Sequence, residues 1–306
     1  MSAPRVLLVG DAGLDTTVQF GRLPGPDEKV VADAVTEGPG GVVANAAVAA
    51  ARAGARVYLY TSVGDDAAGH SLPERLAAQC VEVHVDISPK HTCRAIILLD
   101  GGGEKRLLLS PDAAMYPSAE SIAAIDLDGV GWVHTAAYDH QRAGALLSRC
   151  RSAGVRVTID LEPATMPRGF AEVRALLALC HTVFVNERAR SLIGDDAVAR
   201  ILQTGVPEVV ETLGEHGVRL HTRDTTLDVG APILDRPVID TTGAGDALAG
   251  WHLARRAAGD NVVDALTLGV AAASLSVRGS GGIASYSTSE EVLGVAEQMK
   301  KTSKDR

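Results

Sequence analysis

The chain alternates between short apolar runs typical of buried strands and longer Ala-rich or amphipathic stretches typical of helices. Arg5–Gly10 is an apolar, β-prone run that leads into Asp11, as a buried parallel strand does where it meets a loop. Val42–Arg52 is Ala-rich and predicts a helix closed by Gly54. Further strands are predicted at Val57–Val63, Trp132–Thr135, Val155–Asp160, Thr182–Val185 and Glu208–Leu213. Helical stretches are predicted near 141–153, 170–180 and 195–204. This alternation predicts a parallel sheet covered by helices.

Two segments break this rhythm. Lys29–Thr36 is one of them. The other is a pair of runs, Arg94–Asp100 and Arg106–Leu109, which the Gly-rich residues 101–105 join as a predicted hairpin. Together they predict a separate β-flap beside the main sheet.

Composition and charge narrow the class of protein. A chain of 306 residues, 46% of them hydrophobic, is long enough for one large α/β domain with a small appendage or for two modest domains. The net charge of −9 argues against a nucleic-acid or anionic-membrane partner. No CxxC pair occurs, so the four cysteines predict free thiols rather than zinc or redox motifs. The N-terminal apolar run is too short for a signal peptide and no segment has the length of a membrane span, so we expect a cytoplasmic protein.

The most informative stretch is Asp240–Asp246, which reads Asp-Thr-Thr-Gly-Ala-Gly-Asp. Arg236–Ile239 before it predicts a short strand, and Ala247–Arg256 after it predicts a helix. The first amides of a helix lack intrahelical partners and carry partial positive charge, so Gly243–Gly245 can present bare N–H groups to an anion. A carboxylate at Asp246 would repel phosphate unless it takes a proton from the attacking group, which indicates a kinase base. The alternative is an ordinary helix cap after a flexible turn.

A second group of candidates points to recognition of hydroxyl groups. Gly40 and Gly41 allow close backbone approach, and Asn45 can both donate and accept hydrogen bonds, which suits a polyol. Asp11 and Asp15 lie just past the first predicted strand, at the edge where open α/β sheets bind ligands, and Asp15 would clamp two hydroxyls. The alternatives are a helix N-cap for Asn45 and a solvated loop carboxylate for Asp15.

Two common nucleotide-binding motifs do not fit. Gly64–Ser71 has spacing similar to that of a P-loop, but His70 replaces the lysine and two aspartates would repel phosphates. No GxGxxG follows the first strand, which argues against classical dinucleotide binding and leaves a Rossmann dehydrogenase as a remote alternative.

The motifs taken together and in order resemble the PfkB, or ribokinase-like, carbohydrate kinases over nearly the whole chain. The resemblance is carried by Gly40-Gly41 with Asn45, Val63–Gly69, Asn186-Glu187, Thr212–Gly217 and Asp240–Asp246. It implies an α/β, three-layer fold with a mostly parallel central sheet flanked by helices and a small β-sheet lid. We expect one domain over residues 1–306, with the lid formed by about 29–36 and 93–109.

The same resemblance implies a role for each candidate. Asp246 would be the catalytic base, and Gly243, Ala244 and Gly245 would form the anion hole for the γ-phosphoryl group. The substrate-binding residues would be Asp11, Asp15, Gly40, Gly41 and Asn45, together with Asp246. The ATP-binding residues would be Asn186, Thr212, Gly214, Gly217 and Gly245. The lid would close over the sugar, exclude water and mediate a homodimer.

Some positions depart from the family pattern. The family's Asn-x-x-Glu, linked to Mg²⁺, reads Asn186 to Ala189 here, so its glutamate is missing and Glu187 is the candidate substitute. Ribokinases usually carry Asn where this chain has Gly13 and often carry Lys where it has Val42, which argues against ribose as the substrate. Asp240 and Thr242 match part of a monovalent-cation site, to which Gly281 and Ser285 would contribute, so potassium is a candidate activator.

The resemblance therefore predicts an ATP-dependent, Mg²⁺-requiring kinase that phosphorylates a hydroxyl of a sugar or sugar derivative. A nucleoside kinase of the same superfamily is the nearest alternative, although the low aromatic content of 3% gives little sign of a base-stacking pocket. A non-catalytic sugar- or nucleotide-binding relative is a further alternative, motivated by Ala189. The sequence leaves the identity of the acceptor open.

Overall fold

The structure is a computed structural model that describes residues 3–102, 105–110, 112–233 and 235–304. Gly103 and Glu104, at the centre of the predicted hairpin loop, lie outside the described residues. Among the residues described, no helix combines the length and the apolar character needed to cross a membrane.

The elements follow the predicted alternation along most of the chain. The strands are β1 (Arg5–Val9), β2 (Gly13–Phe20), β3 (Ala34–Gly40), β4 (Arg56–Gly64), β5 (Val81–Ser88), β6 (His91–Asp100), β7 (Lys105–Leu109), β8 (Ala113–Ala114), β9 (Trp132–Ala136), β10 (Arg156–Leu161), β11 (Thr182–Val185), β12 (Glu208–Thr212), β13 (Val218–His221) and β14 (Thr226–Val229). The α-helices are α1 (Val42–Arg52), α2 (Ala67–Ala77), α3 (Ala119–Ala124), α4 (His140–Ser152), α5 (Arg174–Leu177), α6 (Glu187–Ile193), α7 (Ala197–Leu202), α8 (Ala244–Ala257), α9 (Val262–Ser276) and α10 (Ser289–Lys304). Short 3₁₀ turns lie at Pro163–Thr165, Phe170–Glu172, Gly214–His216 and Ile283–Ser285.

Nine strands of the described residues form the large sheet, in the order β14-β13-β12-β11-β10-β9-β1-β4-β5. All neighbours are parallel except at the β12–β13 and β13–β14 pairs. The mostly parallel sheet is thus confirmed. Strand β1 pairs with β4 on one side and with β9 on the other, so the chain direction across the sheet reverses there. Open α/β sheets bind ligands at the carboxyl edge of such a switch point.

Helices cover both faces of this sheet, as the predicted layers require. Val6 and Leu8 of β1 pack with α1 and α8, whereas Leu7 and Val9 pack with α4. Alternate residues of a strand point to opposite faces, so one apolar strand serves two hydrophobic cores.

A second, smaller sheet lies beside the large one. Its strand order is β3-β2-β6-β7, and the short strand β8 also pairs with β6. The sequence pattern did not predict strand β2 and left Asp15 outside any strand. Strand β2 consists largely of polar residues, and it pairs with β3 on one side and with β6 on the other. This pairing overrides the weak local preference for a strand. Strand β3 begins only at Ala34, after most of the segment expected at 29–36.

Two local predictions were wrong. Residues 236–239 form no strand: they are exposed, and Ile239 N–H donates a single backbone hydrogen bond, to Val277 O at 2.8 Å. Pro237 has no N–H with which to join a ladder. The helix expected near 170–180 is divided into the 3₁₀ turn Phe170–Glu172 and the four-residue helix α5.

Candidate active site

The candidate residues collect at one edge of the large sheet. Strands β1 and β9–β12 are mutually parallel, so the residues that follow their carboxyl ends share that edge. Asp11 follows β1, Asp160 lies near the end of β10, Asn186 follows β11 and Thr212 ends β12. The start of α8 reaches the same region, because α8 contacts both β1 and β9.

The turn before α8 needs glycine at its first position. Gly243 is the N-cap residue, with a left-handed φ of 77°. A Cβ there would lie 2.9 Å from both Gly282 Cα and the Tyr286 hydroxyl, which itself donates to Gly243 O at 2.8 Å. A Cβ at Gly245 would meet nothing within 4 Å. Ala244 N donates a long bond to Thr241 O at 3.4 Å, and the first-turn amides of α8 have no intrahelical acceptors. Space is open beside Gly245.

Asp246 is half-buried in the first turn of α8, facing α1. Asn45 Nδ2 donates to Asp246 Oδ2 at 2.7 Å. Burial raises the pKa of Asp246 well above its usual value, the charges of Asp160, Glu162 and Asp11 raise it further, and the bond from Asn45 opposes this. Asn45 Oδ1 is buried and has no hydrogen-bond partner among the described residues. The pair thus offers a strongly basic carboxylate and an open acceptor side by side.

Asp15 projects from β2 toward the same space. A Cβ on Gly40 would lie 2.1 Å from Asp15 Cγ, so glycine at position 40 leaves room for this carboxylate. Burial raises the pKa of Asp15 to about 6; the charge of Lys105 lowers it and that of Asp240 raises it.

Asp11 is engaged with the backbone of α1. Its two oxygens accept from Val42 N at 2.9 Å and Val43 N at 3.1 Å, since Gly41, the N-cap with φ 101°, has no side chain to do so. Burial raises the pKa of Asp11 to about 7 in spite of these bonds. Asp11 orients α1, and its contact with a substrate stays a prediction.

Two of the other three residues of the expected cation site, Thr242 and Gly281, are hydrogen-bonded to the Asp240 carboxylate. Asp240 Oδ1 accepts from Thr242 N at 2.9 Å and Thr242 Oγ1 at 2.6 Å, and Asp240 Oδ2 accepts from Gly281 N at 2.9 Å. These bonds hold the pKa of Asp240 below its usual value although burial acts to raise it. Ser285, one turn further on, donates to Gly282 O at 2.8 Å. The turn before α8 is thereby tied to the 280–286 loop.

The residues expected to bind ATP lie on the β11–β12 side of Asp246. Asn186 caps α6 by accepting from Ala189 N at 2.9 Å, and the Glu187 side chain is exposed in the next position. Thr212 ends β12, and the turn into β13 contains Gly214 (φ 57°) and Gly217 (φ 91°). A Cβ on Gly217 would lie 2.1 Å from Val229 O, so this turn needs glycine. Asp11 thus follows β1 whereas Asn186 and Thr212 lie at the ends of β11 and β12, and Gly245 directly precedes Asp246 in α8; the contacts of all these residues with ligands stay predictions.

Sequence reasoning missed three charged residues of the site. Asp160 lies at the end of a correctly predicted buried strand and Glu162 directly follows it, and that position was the available signal. Tyr138 donates to Glu162 Oε2 at 2.7 Å, and burial with the charges of Glu162 and Asp11 raises the pKa of Asp160 well above its usual value. Lys105 was assigned only to a hairpin loop, yet its Nζ donates to Thr242 Oγ1 at 2.9 Å. No local pattern marks that contact, because 137 residues separate the two positions.

A helix N-terminus open to an anion, with a basic carboxylate beside it at the switch point of an α/β sheet, defines a phosphoryl-transfer class of site. Residues 5–289 match the pfkB family of carbohydrate kinases. The chain belongs to this family.

Individual relatives agree with that assignment. The chain is 27% identical to a ribokinase of Arabidopsis thaliana, over 95% of this chain and 80% of the relative. It is 30% identical to a cytidine kinase of Thermococcus kodakarensis, over 76% of this chain and 85% of that one. The solved structure of Arabidopsis thaliana ribokinase with ribose and ATP superposes with a TM-score of 0.81 at 24% identity, covering 97% of this chain and 99% of the other. The ribokinase-like fold is confirmed.

Proposed function

We propose that this protein transfers the γ-phosphoryl group of ATP to a hydroxyl of a carbohydrate or carbohydrate derivative. The observation that carries the proposal is the position of Asp246, in the first turn of α8 and bonded to Asn45 at 2.7 Å. One side chain thus lies between the open amides of a helix N-terminus and the candidate residues for an acceptor. In-line transfer requires the base and the anion site to be adjacent.

The chemistry follows from that arrangement. The acceptor hydroxyl gives its proton to Asp246, its oxygen forms a bond to the γ-phosphorus, and the bond from that phosphorus to the β,γ-bridging oxygen breaks, so that ADP leaves with the electron pair. Burial and neighbouring carboxylates raise the pKa of Asp246, which makes it a stronger base. The amides of Gly243–Gly245 stabilise the charge on the moving group.

Recognition of the acceptor falls to Asp15 and Asn45. Asp15 accepts hydrogen bonds from two hydroxyls, and the unpartnered, buried Asn45 Oδ1 accepts a third. Gly40 and Gly41 keep the space in front of these groups free of side chains. A polyol satisfies such a set of acceptors better than an apolar ligand does.

ATP lies along the ends of β11 and β12 in this proposal, near Asn186 and the Gly214–Gly217 turn. Mg²⁺ would offset the charge of the ATP phosphates there. Within the described ranges no three His, Cys, Asp or Glu side chains are arranged to hold a metal ion. This fits an ion held mostly by phosphates and water, with Glu187, Asp160 or Glu162 supplying a carboxylate oxygen.

We further propose that potassium supports activity through Asp240. A carboxylate offers about four acceptor positions, and three donors already use this one, which leaves one for a cation beside Thr242, Gly281 and Ser285. The test compares turnover in potassium chloride with turnover in tetramethylammonium chloride at equal ionic strength. Equal rates in the two salts contradict the proposal.

Asp246→Asn tests the proposed function. We expect kcat to fall on the order of a hundredfold to ten-thousandfold, with a much smaller change in ATP affinity, because the variant keeps the shape of the site and loses the base. The measurement is an ADP-release assay on the acceptor selected by screening. Asp228→Asn, which alters an exposed carboxylate paired with Arg219, is the matched control and should leave kcat unchanged. An Asp246→Asn protein as active as the parent would refute the role.

A nucleoside kinase is the second candidate, favoured by the 30% identity with a cytidine kinase. A screen of sugars, sugar acids, sugar phosphates and nucleosides with ATP and Mg²⁺ separates the two, since kcat/KM ranks the acceptors directly. Transfer to none of them, with ATP still bound, would favour the non-catalytic relative suggested by Ala189.

We also propose that the smaller sheet is a lid and a dimer interface. Strand register puts Val35, Ile96 and Leu108 on the face opposite to Asp15, and these apolar side chains are 62%, 44% and 56% exposed. Such a patch indicates a protein contact. Sedimentation of the parent against Ile96→Glu tests it: the parent should sediment as a dimer and the variant as a monomer. A monomeric parent at micromolar concentration contradicts the interface.

A further inference from the structure

A lysine of the smaller sheet reaches the turn before α8. Lys105 begins β7 and pairs in register with Leu99, which pairs with Gln19 of β2. Gln19 and Asp15 are four residues apart on one strand and so share a face. Gln19 Nε2 donates to Ser280 Oγ at 3.1 Å, and Lys105 Nζ donates to Thr242 Oγ1 at 2.9 Å. This face of the sheet therefore spans both sides of the α8 turn.

The charges around Lys105 are negative. The ammonium lowers the pKa of both Asp15 and Asp240, so its charge acts on the acceptor side and on the turn. Asp246, the proposed base, is in turn surrounded by the charges of Asp160, Glu162 and Asp11. An incoming γ-phosphoryl group would bring more negative charge into this space, and a buried anion needs a compensating cation.

The bond to Thr242 leaves most of this cation available. Thr242 Oγ1 gives its own proton to Asp240 Oδ1 at 2.6 Å, so Lys105 donates to a lone pair of that oxygen. Within the described part of the chain this bond uses one of the three N–H groups of Lys105. Thr242 directly precedes Gly243, the N-cap of the helix whose amides form the anion hole. The ammonium thus contacts the residue directly before the turn proposed to hold the transferred group.

We propose, resting on the proposed kinase function, that Lys105 is a catalytic residue that binds the γ-phosphoryl group during transfer. The ammonium stays protonated and donates to a non-bridging γ-oxygen, while the acceptor proton goes to Asp246. Helix α1 contributes no cation of this kind from its first turn, where Val42 and Val43 stand. The smaller sheet therefore supplies a charged group to the chemistry as well as covering it.

The first test is a binding experiment that does not depend on turnover. Calorimetry with Mg²⁺ measures the affinity of the parent, Lys105→Ala and Lys105→Arg for AMP-PNP and for ADP. We expect Lys105→Ala to bind AMP-PNP about tenfold more weakly and ADP unchanged, because only AMP-PNP has a γ-phosphoryl group. Lys105→Arg keeps the charge and should recover much of the loss. Lys90→Ala, which removes an exposed lysine paired with Asp112, is the matched control and should bind both as the parent does.

The second test is kinetic. At saturating ATP and acceptor, Lys105→Ala should lower kcat on the order of a hundredfold, with a smaller change in the KM of the acceptor. The variants Thr242→Val and Lys105→Ala/Thr242→Val distinguish a catalytic role of Lys105 from a positioning role. If Lys105 acts only by holding Thr242, kcat falls by the same factor in both single variants and in the double variant. That result overturns the proposal. Near-ultraviolet circular dichroism identifies a variant that has not folded, in which case Lys105→Met, with a similar side-chain volume, replaces Lys105→Ala.

The possible failures are distinguishable. A parent protein that binds neither nucleotide overturns the proposed function and this inference together. In the other case, the parent protein binds the nucleotides and phosphorylates the acceptor, while Lys105→Ala shows the same ratio of AMP-PNP affinity to ADP affinity as the parent. That combination overturns only the role of Lys105.

Discussion

The pKa values of Asp240 and Asp246 are shifted in opposite directions by their surroundings. Asp240 accepts three hydrogen bonds from the protein and has a lowered pKa, so it stays charged and holds the α8 turn in place. Asp246 is buried and faces other acids, and it accepts only one hydrogen bond from the described residues, so its pKa is raised. The two aspartates are six residues apart in one motif, and their surroundings suit Asp240 to a structural role and Asp246 to the proposed role as a base.

The pH dependence of turnover should report these shifts. Asp246 must be deprotonated to act as a base and Asp15 to accept hydroxyls, so kcat/KM for the acceptor should fall as the pH drops through about 6, the pKa of Asp15. The raised pKa of Asp246 moves the fall toward higher pH. Initial rates from pH 5 to 9, in protein whose circular dichroism is unchanged over that range, give the profile. Constant activity down to pH 5 would contradict the assignment of the base.

Alanine at two glycines of the motif should lower activity in both cases but lower stability at only one. Gly243→Ala puts a Cβ 2.9 Å from Gly282 Cα at a positive φ, so both the melting temperature and the activity should fall. Gly245→Ala puts its Cβ into open space, so the protein should stay as stable as the parent while the methyl group obstructs the phosphate and lowers kcat tenfold or more. Thermal unfolding and turnover of both variants decide this, and full activity of Gly245→Ala would mean that no phosphate approaches there.

At the scale of elements, the crossing of α1 over α8 sets the geometry of the site. Helix α1 carries Asn45 and helix α8 carries Asp246, and Gly250 on α8 allows the two backbones to approach closely. A Cβ on Gly250 would lie 2.2 Å from Ala46 O and 2.7 Å from Ala49 Cβ. The Ala-rich sequence of α1 serves the same close packing.

Gly250→Ala should therefore damage stability and catalysis together. The added methyl group meets backbone, which cannot move aside as a flexible side chain does, so we expect a loss of about 1–3 kcal/mol in the free energy of unfolding. Separation of the helices should also lengthen the bond from Asn45 to Asp246 and lower kcat. Gly294→Ala, at an exposed position of α10 with no atom within 4 Å of the new Cβ, is the control and should not destabilise the protein. Denaturant unfolding measures both variants, and equal stability would disprove the close contact.

At the scale of the whole molecule, a buried histidine links α8 to the large sheet. His252 packs against Trp132 of β9 and Phe184 of β11, and neither ring nitrogen has a hydrogen-bond partner among the described residues. Burial lowers the pKa of His252 to about 3. His134, buried nearby with Nδ1 2.8 Å from Thr158 Oγ1, has its pKa lowered to about 4 by burial.

These histidines should reduce stability in acid. In the unfolded chain each histidine takes up a proton near pH 6.5, whereas in the folded protein it does so only at about pH 3 or 4. The free energy of unfolding therefore falls as the pH drops below 6.5, by up to about 2 kcal/mol for each histidine at pH 5. The raised pKa of Asp11 acts in the opposite direction over pH 4–7, so the test is a difference between proteins. We expect His252→Leu to gain stability over the parent at pH 5 relative to pH 7.5 in thermal unfolding; an equal difference at both pH values would contradict this.

Local pattern predicted most of the large sheet and little of the smaller one. The apolar runs of β1, β9 and β11 are buried on both faces, so each run marks its strand without reference to its neighbours. Strand β2 carries polar residues and exists because β3 and β6 pair with it, which no local window records. The residues 236–239 have strand-like composition but find no ladder to join.

The sequence by itself determined the layered class of fold, the family and the motif around Asp246, because periodicity and short motifs are local properties of a chain. Only the tertiary structure decided that Asn45 bonds Asp246 across 201 positions, that Asp160 and Glu162 raise the pKa of Asp246, and that Lys105 contacts Thr242. Charge interactions and hydrogen bonds depend on distances in space, and those distances follow from how strands and helices pack rather than from the order of residues.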